Sequence, residues 1–263
     1  MPDANETHCP AMKNGGMLMN IGFIGAGKVG FSLGKYLTER NVRVSGYYSR
    51  NPQSSREAAD FTNTRQYLNL RHLVEDSDVL FVAIPDSAIA QMWEQLKMLP
   101  IQNKIISHFS GALSSAVFSD IERYHAYGYS IHPLFAINDK YESYKVISQA
   151  FFTIEGDPKY LNWFLRLFES FGNPVEVISK EDKVRYHAAA AMASNLYVGL
   201  ANMCEQMLRD CGFSAANAHR ALSPLMIGNT ENIIQYGPVG ALTGPIERND
   251  LTTVMDHLES LSE

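Results

Sequence analysis

The sequence predicts an α/β protein in which a doubly wound, mostly parallel sheet is followed by a smaller all-α domain. Three observations carry this. From Met19 to about Leu134, short apolar runs alternate with longer amphipathic stretches, the pattern of βα units building a parallel sheet. A glycine-rich turn, Gly25-Ala26-Gly27-Lys28-Val29-Gly30, directly follows the first run and opens an amphipathic stretch. After Ser179, an Ala- and Met-rich run reaches Cys211 with Gly199 as its single helix breaker. The 263 residues exceed the usual single-domain length of about 100–200. The expected parts are a flexible extension (1–18), a nucleotide-binding domain (19–178) and an all-α domain (179–263) for substrate binding or dimerisation.

The expected strands are Asn20–Ile24, Val42–Tyr48, Val79–Ile84, Lys104–Ser107 and Gly128–Ile131, each followed by a turn or helix-start signal such as Ser49-Arg50-Asn51-Pro52 or Pro85-Asp86-Ser87. Between them, Lys28–Arg40, Ala88–Met98 and Leu113–Tyr124 read as helices. Phe151–Ile154 and Val175–Ile178 flank a helical stretch, Pro158–Phe171, and extend the sheet. A long helix is expected over Lys180–Cys211, ended by Gly212. A second helix starts at Ser214, a third has Pro224 near its start, and Asn249-Asp250 caps a last one.

Apolar residues make up 46% of the chain and charged residues 19%, which excludes disorder as the main state. The net charge of −6 gives no positive field for a nucleic-acid backbone, so any phosphate must be held locally. No apolar run approaches the roughly 20 residues needed to cross a bilayer, and residues 1–16 lack the basic and apolar regions of a secretory signal. Cys9, Cys204 and Cys211 are sparse, and the last two lie too far apart along a helix for a disulfide. A cytoplasmic protein without membrane or nucleic-acid partners is expected.

In the glycine turn, Gly25 permits a tight bend, Gly27 lets a pyrophosphate approach and Gly30 lets helix pack on strand. The helix N-terminus adds unpaired N–H groups and partial positive charge. At the end of the second strand, Ser49-Arg50-Asn51 holds no carboxylate for a ribose diol, whereas Arg50 with its neighbours suits a 2′-phosphate, so NADP is favoured over NAD. Lys28 is a second cation near the phosphates. Ile84 and Pro85, ending the fourth strand, contact the cofactor by shape, while Asp86 and Ser87 read as helix caps. The alternatives are a structural glycine turn and solvated charges at Arg50 and Lys28.

Three groups carry chemical potential: His108-Phe109-Ser110-Gly111, Ile131-His132-Pro133-Leu134 and Lys183-Val184-Arg185-Tyr186-His187. The first two sit at strand ends, where ligands bind in this architecture. At 100° per residue, Lys183, His187, Ala190, Ser194 and Val198 share one helix face, with Asn195 at its edge. Such a polar stripe belongs beside a cleft, or in a hydrogen-bond network without catalysis. His187 or Lys183 would move a proton, with His108, Ser110, His132 and Asn195 positioning the substrate. No ligand spacing supports a metal site. Ser110 lacks the preceding glycine of a nucleophile elbow.

The glycine turn, Ser49-Arg50-Asn51, His108-Phe109-Ser110-Gly111, His132-Pro133-Leu134, Asp182-Lys183, Tyr186–Ala190, Ser194-Asn195 and Leu242-Thr243-Gly244-Pro245 together resemble a set of bacterial two-domain proteins. These have a Rossmann-like N-terminal half and a helical C-terminal domain of unknown function, and are commonly labelled NADP oxidoreductases of the deazaflavin-dependent reductase type. More distantly the layout is similar to 6-phosphogluconate dehydrogenase-like enzymes, several of which place a catalytic Lys and Asn on the first long helix after the nucleotide domain. The resemblance implies those roles for Lys183 and Asn195. The expected activity is hydride transfer between NADP and a small carbonyl, imine or hydroxy compound in an interdomain cleft, with the helical domain forming a homodimer. A protein that binds NADP as a sensor or scaffold is the alternative.

Overall fold

The computed structural model of the chain describes residues 18–261. The expected N-terminal extension, Leu18 apart, and Cys9 lie outside the described residues. In chain order the first part runs β1 (Ile21–Ile24), α1 (Lys28–Thr38), β2 (Val44–Tyr48), α2 (Pro52–Thr62), β3 (Arg65–Tyr67), α3 (Leu70–Glu75), β4 (Val79–Val82), α4 (Asp86–Leu96) and β5 (Ile105–His108). It continues through β6 (Tyr127–Leu134), β7 (Phe151–Gly156), α5 (Pro158–Glu169) and β8 (Val175–Val177).

The eight strands form one sheet in the order β3-β2-β1-β4-β5-β6-β7-β8. Every pair is parallel except β6 with β7. The first six strands thus have the doubly wound order, with its topological switch point between β1 and β4. Helices cover the sheet, and two apolar cores result: one joins Phe23, Phe31, Phe81 and Phe164, the other Leu73, Leu80, Trp93 and Ile106. Strands β1 and β4 are buried along their whole length, which is why both read as continuous apolar runs. Strand β6 outruns its expected end because β7 goes on pairing with it through Leu134, whereas β5 pairs only as far as Ser130, so residues Ile131–Leu134 pair with β7 alone. On that one-sided stretch the missing N–H of Pro133 is tolerated.

Two helix expectations fail. Leu113–Tyr124 forms no α-helix but two single 3-10 turns, Ser115–Val117 and Ile121–Tyr124. Ser115 gives both its N–H and its hydroxyl to Glu155 on β7 (2.6 Å each), and Asp120 and His125 take left-handed backbone conformations, so no helical ladder can propagate. Pro224 starts no new helix. It lies inside α8 (Ala215–Ala241), where Arg220, whose carbonyl it leaves without a donor, is exposed and can be satisfied by water. The break comes instead at Gly237 (φ 74°), just before Pro238.

The chain divides into two compact units after Ala190. The sheet ends at Val177, and the long helix beyond it is α6 (Lys183–Ala191), one π turn (Met192–Leu196) and α7 (Tyr197–Asp210). The π turn changes the period, so the 100° spacing that put Ser194 and Val198 in line with Lys183 and His187 does not hold through it. The second unit contains α7, α8, α9 (Gly244–Glu247) and α10 (Leu251–Ser260), the last capped by Asp250 through the Thr253 N–H (3.2 Å). Cys204 and Cys211 are free thiols. Among the described residues, no helix is long and apolar enough to cross a membrane.

Candidate functional site

The first unit opens a cleft at the switch point. After β1, Gly25 takes φ +106°, and a Cβ there would lie 2.3 Å from the Ala83 carbonyl oxygen. A Cβ at Gly30 would lie 2.6 Å from the Gly25 carbonyl oxygen, so α1 can seat on the turn only with glycine at both positions. Gly27, the N-cap of α1, differs: a Cβ there would meet nothing within 4 Å, and no side chain caps the helix. The amides of the first turn therefore face open space with a helix dipole behind them.

Opposite stand Ala83, Ile84 and Pro85 after β4, with Ala88, Gln91, Met92 and Gln95 from α4. Tyr48, Ser49 and Arg50 at the end of β2 complete the lining, which includes no acidic side chain. Arg50 is exposed and forms no ion pair among the described residues. Of the expected cofactor residues, Lys28, Val29, Gly30 and Asn51 do not line the cleft. Asn51 instead caps α2, its Oδ1 accepting the Gln53 N–H (3.0 Å). The cradle that the glycines leave clear, the uncapped helix start and the acid-free rim fit a phosphate-bearing dinucleotide.

Beside this cleft, Asp86 begins α4 immediately after Pro85, and its carboxylate accepts the Ser110 hydroxyl (2.6 Å). The same Ser110 Oγ accepts the N–H groups of Ala112 (3.2 Å) and Leu113 (2.9 Å). The Ser110 N–H donates to His108 Nδ1 (3.2 Å), which assigns the ring proton to Nε2, facing the Ser114 carbonyl (3.1 Å). The Ser110 carbonyl accepts Lys183 Nζ (3.0 Å) and the Ser130 hydroxyl (3.3 Å). Ser110 is thus saturated by protein partners and is a joint between elements; sequence reasoning gave it a substrate-positioning role.

Gly111, the next residue, faces two imidazoles. A Cβ on it would lie 2.4 Å from His187 Nδ1 and 2.9 Å from His132 Nε2. His132 Nδ1 is paired with the Tyr186 hydroxyl (2.8 Å), whereas His187 Nδ1 is buried with no hydrogen-bond partner among the described residues. Burial, reinforced by the Lys183 and His187 charges, lowers the His132 pKa to about 4. Burial likewise lowers His108 to about 4, with the Ser114 hydrogen bond opposing and Lys183 adding repulsion. Burial lowers Lys183 to about 8, against the attraction of Glu155 and Asp86. Both histidines are therefore neutral at pH 7, and Lys183 is mostly charged.

The structure gathers His108, Ser110, His132, Lys183 and His187 in the first unit. Asn195 lies in the second unit, exposed, its Oδ1 accepting the Ser194 hydroxyl (3.1 Å). Asp86, Gly111, Ser130 and Tyr186 were not singled out as site residues by sequence reasoning. The one signal was position: Asp86 follows a strand end on the cleft side, and Tyr186 adjoins His187. Among the described residues, no group of three or more His, Cys, Asp or Glu could hold a metal ion.

The sheet order, glycine turn and cleft define a doubly wound, Rossmann-type first unit, followed by a helical second unit. Residues 6–133 match a Rossmann-like domain and residues 150–263 the Domain of unknown function (DUF2520), so the chain is a two-domain protein of that arrangement. No curated protein matches it. Among solved structures it is similar to TM1727 of Thermotoga maritima at 27% identity (TM-score 0.74), over 92% of this chain and 89% of that one. It is also similar to BF3122 of Bacteroides fragilis, provisionally named an NADP oxidoreductase, at 22% identity (TM-score 0.68), over 92% and 91% of the two chains. A pyrroline-5-carboxylate reductase of Coxiella burnetii shares the fold at 14% identity (TM-score 0.63), with 93% of each chain covered.

Proposed function

We propose that the protein is an NADP(H)-dependent oxidoreductase acting on a small carbonyl, imine or hydroxy compound. The observation that carries this reading is the glycine cradle, open at Gly27, with Arg50 free of any ion pair among the described residues on a rim that has no carboxylate. The names given to BF3122 and the Coxiella reductase support it. The glycine turn and α1 N-terminus would hold the pyrophosphate, Arg50 and Ser49 the 2′-phosphate, and Ile84 and Pro85 the apolar surface. When bound, the nicotinamide supplies or accepts the hydride.

The chain's own contribution is to bind the substrate and move the accompanying proton. His187 Nδ1 is the leading group for this, because it is the buried nitrogen without a partner, and His132 Nε2 faces the same point. Asn195 is retained as a substrate-orienting candidate. Fluorescence titration tests the reading: NADPH should bind at micromolar concentration and about tenfold more tightly than NADH. No binding far above micromolar would refute it.

Two companion proposals stand on separate observations. With Ser110 and Lys183 occupied by protein partners, a sensor that binds NADP without turnover stays a second reading, favoured if no member of a carbonyl panel is reduced. The helical unit also self-associates in this proposal. Between Ala191 and Leu261 only Ala218 is buried, while Val198, Leu225, Ile234, Val239 and Leu251 are among many large apolar side chains left exposed. Obligate homodimer interfaces are rich in apolar side chains of this kind. A monomer by light scattering at high concentration overturns this.

A further inference from the structure

We propose that Lys183 is a positioning residue: its ammonium clamps the Ser110-Gly111 turn onto β6, so that the turn stands against the His132 and His187 nitrogens. The inference deepens the functional reading above, since it rests on those nitrogens marking the place of proton transfer.

Lys183 is 1% exposed. Its Nζ donates to the Ser110 carbonyl (3.0 Å) and to the Ser130 hydroxyl (2.8 Å), and Ser130 donates to that same carbonyl (3.3 Å). Two of the three ammonium donors are thus spent on β6 and the turn, and burial keeps the nitrogen out of a substrate's reach. Other charged and titratable groups surround it from every side: Asp86 of α4, His108 of β5, His132 of β6, Glu155 of β7 and the Tyr186 ring of its own helix, 5.6 Å away. Stability alone does not call for a charge there, because an apolar side chain of similar length would avoid the cost of desolvation. What the charge adds is directional hold on one carbonyl.

That hold matters because of the residue bonded to Ser110 on its C-terminal side. Gly111 is packed so closely against both imidazoles that it has no room for a methyl group. A drift of the Ser110 carbonyl carries Gly111 with it and moves both nitrogens. Asp86 anchors the other side of Ser110 and is covalently next to Pro85 of the cleft wall, so the turn is fixed between the cleft and α6.

The test uses the full-length protein. Reductive methylation with formaldehyde and mass spectrometry should modify exposed Lys180 at least about tenfold faster than Lys183, and equal rates would overturn the proposal, because a lysine that meets substrate must be reachable. In Lys183→Met, the ring ¹⁵N resonances of His132 and His187 should shift, and the His132 titration midpoint should rise by about half a pH unit or more as the repelling charge is lost. Ser130→Ala, a milder cut that keeps the charge, should shift the same resonances without moving the midpoint. Unchanged His132 and His187 resonances in Ser130→Ala overturn the proposal, even if Lys183→Met does not fold. NADPH affinity, measured alongside, reports the oxidoreductase reading separately and should stay within about threefold of the parent in both variants.

Discussion

Acidification from pH 7 to pH 4.5 should weaken the first unit through His108, and the size of the loss is set by its surroundings. His108 is fully buried, and burial is the main cause that lowers its pKa from 6.5 to about 4. The folded state therefore binds the proton less readily than the unfolded chain. The stabilisation is complete above the unfolded value of 6.5 and is lost as pH falls towards 4. At 1.36 kcal/mol per pKa unit, the full contribution is about 3 kcal/mol, most of which is gone by pH 4.5. Urea unfolding followed by tryptophan fluorescence isolates this unit, because both tryptophans, Trp93 and Trp163, belong to it. The comparison is with His108→Gln, which cannot titrate. Carboxylate effects are common to both proteins and cancel in the difference. The parent should lose about 2 kcal/mol more than the variant over this interval, and equal losses would refute the account.

Arg50→Ala should weaken NADPH binding about 10–100-fold and leave NADH nearly unaffected, as expected for loss of a charge-assisted phosphate contact; fluorescence titration of both nucleotides checks it. Gly25→Ala places a Cβ 2.3 Å from the Ala83 carbonyl at φ +106° and should lower Tm by about 5 °C or more while reducing NADPH affinity. Gly111→Ala should keep NADPH affinity within about threefold but cut turnover about 100-fold on any substrate found, because both imidazoles must move; normal turnover would exclude them from the chemistry.

What could be read from the sequence was what lies close together in it. The glycine turn, the strand before it and the helix after it are contiguous, and Ser49-Arg50 ends a neighbouring strand, so the glycine side and rim of the cleft were legible, whereas the wall of Ala88, Gln91, Met92 and Gln95 was not. Strands β1 and β4 were legible because burial on both faces leaves no polar interruption. Strand β3 was not: Arg65-Gln66-Tyr67 is short, sits at the sheet edge and pairs with β2 alone, so it needs no apolar run. Leu113–Tyr124 carries helix-like apolar spacing, but the Glu155 carboxylate, 40 residues from Ser115, takes its backbone N–H. A side-chain contact of that range has no trace in local periodicity.

The same distance rule explains why Ser110 and Lys183 were singled out as chemical groups while the partners they meet in the fold were hidden. Both are polar residues at sites where ligands bind in this architecture, and in isolation each could meet a substrate. The folded chain brings Lys183 to Ser110 across 73 residues and Asp86 across 24, and between them they use the acceptors and donors that chemistry would need. A hydroxyl that already donates to one carboxylate and accepts two N–H groups has nothing left to offer a carbonyl oxygen. The imidazoles remain. Held neutral by burial and by the Lys183 charge, His132 can donate a hydrogen bond at pH 7 without being a full acid, while His187 presents an unpaired nitrogen beside it. In the proposed oxidoreductase, proton transfer would then fall to these two histidines, which meet at Gly111, with Lys183 holding the turn that carries it.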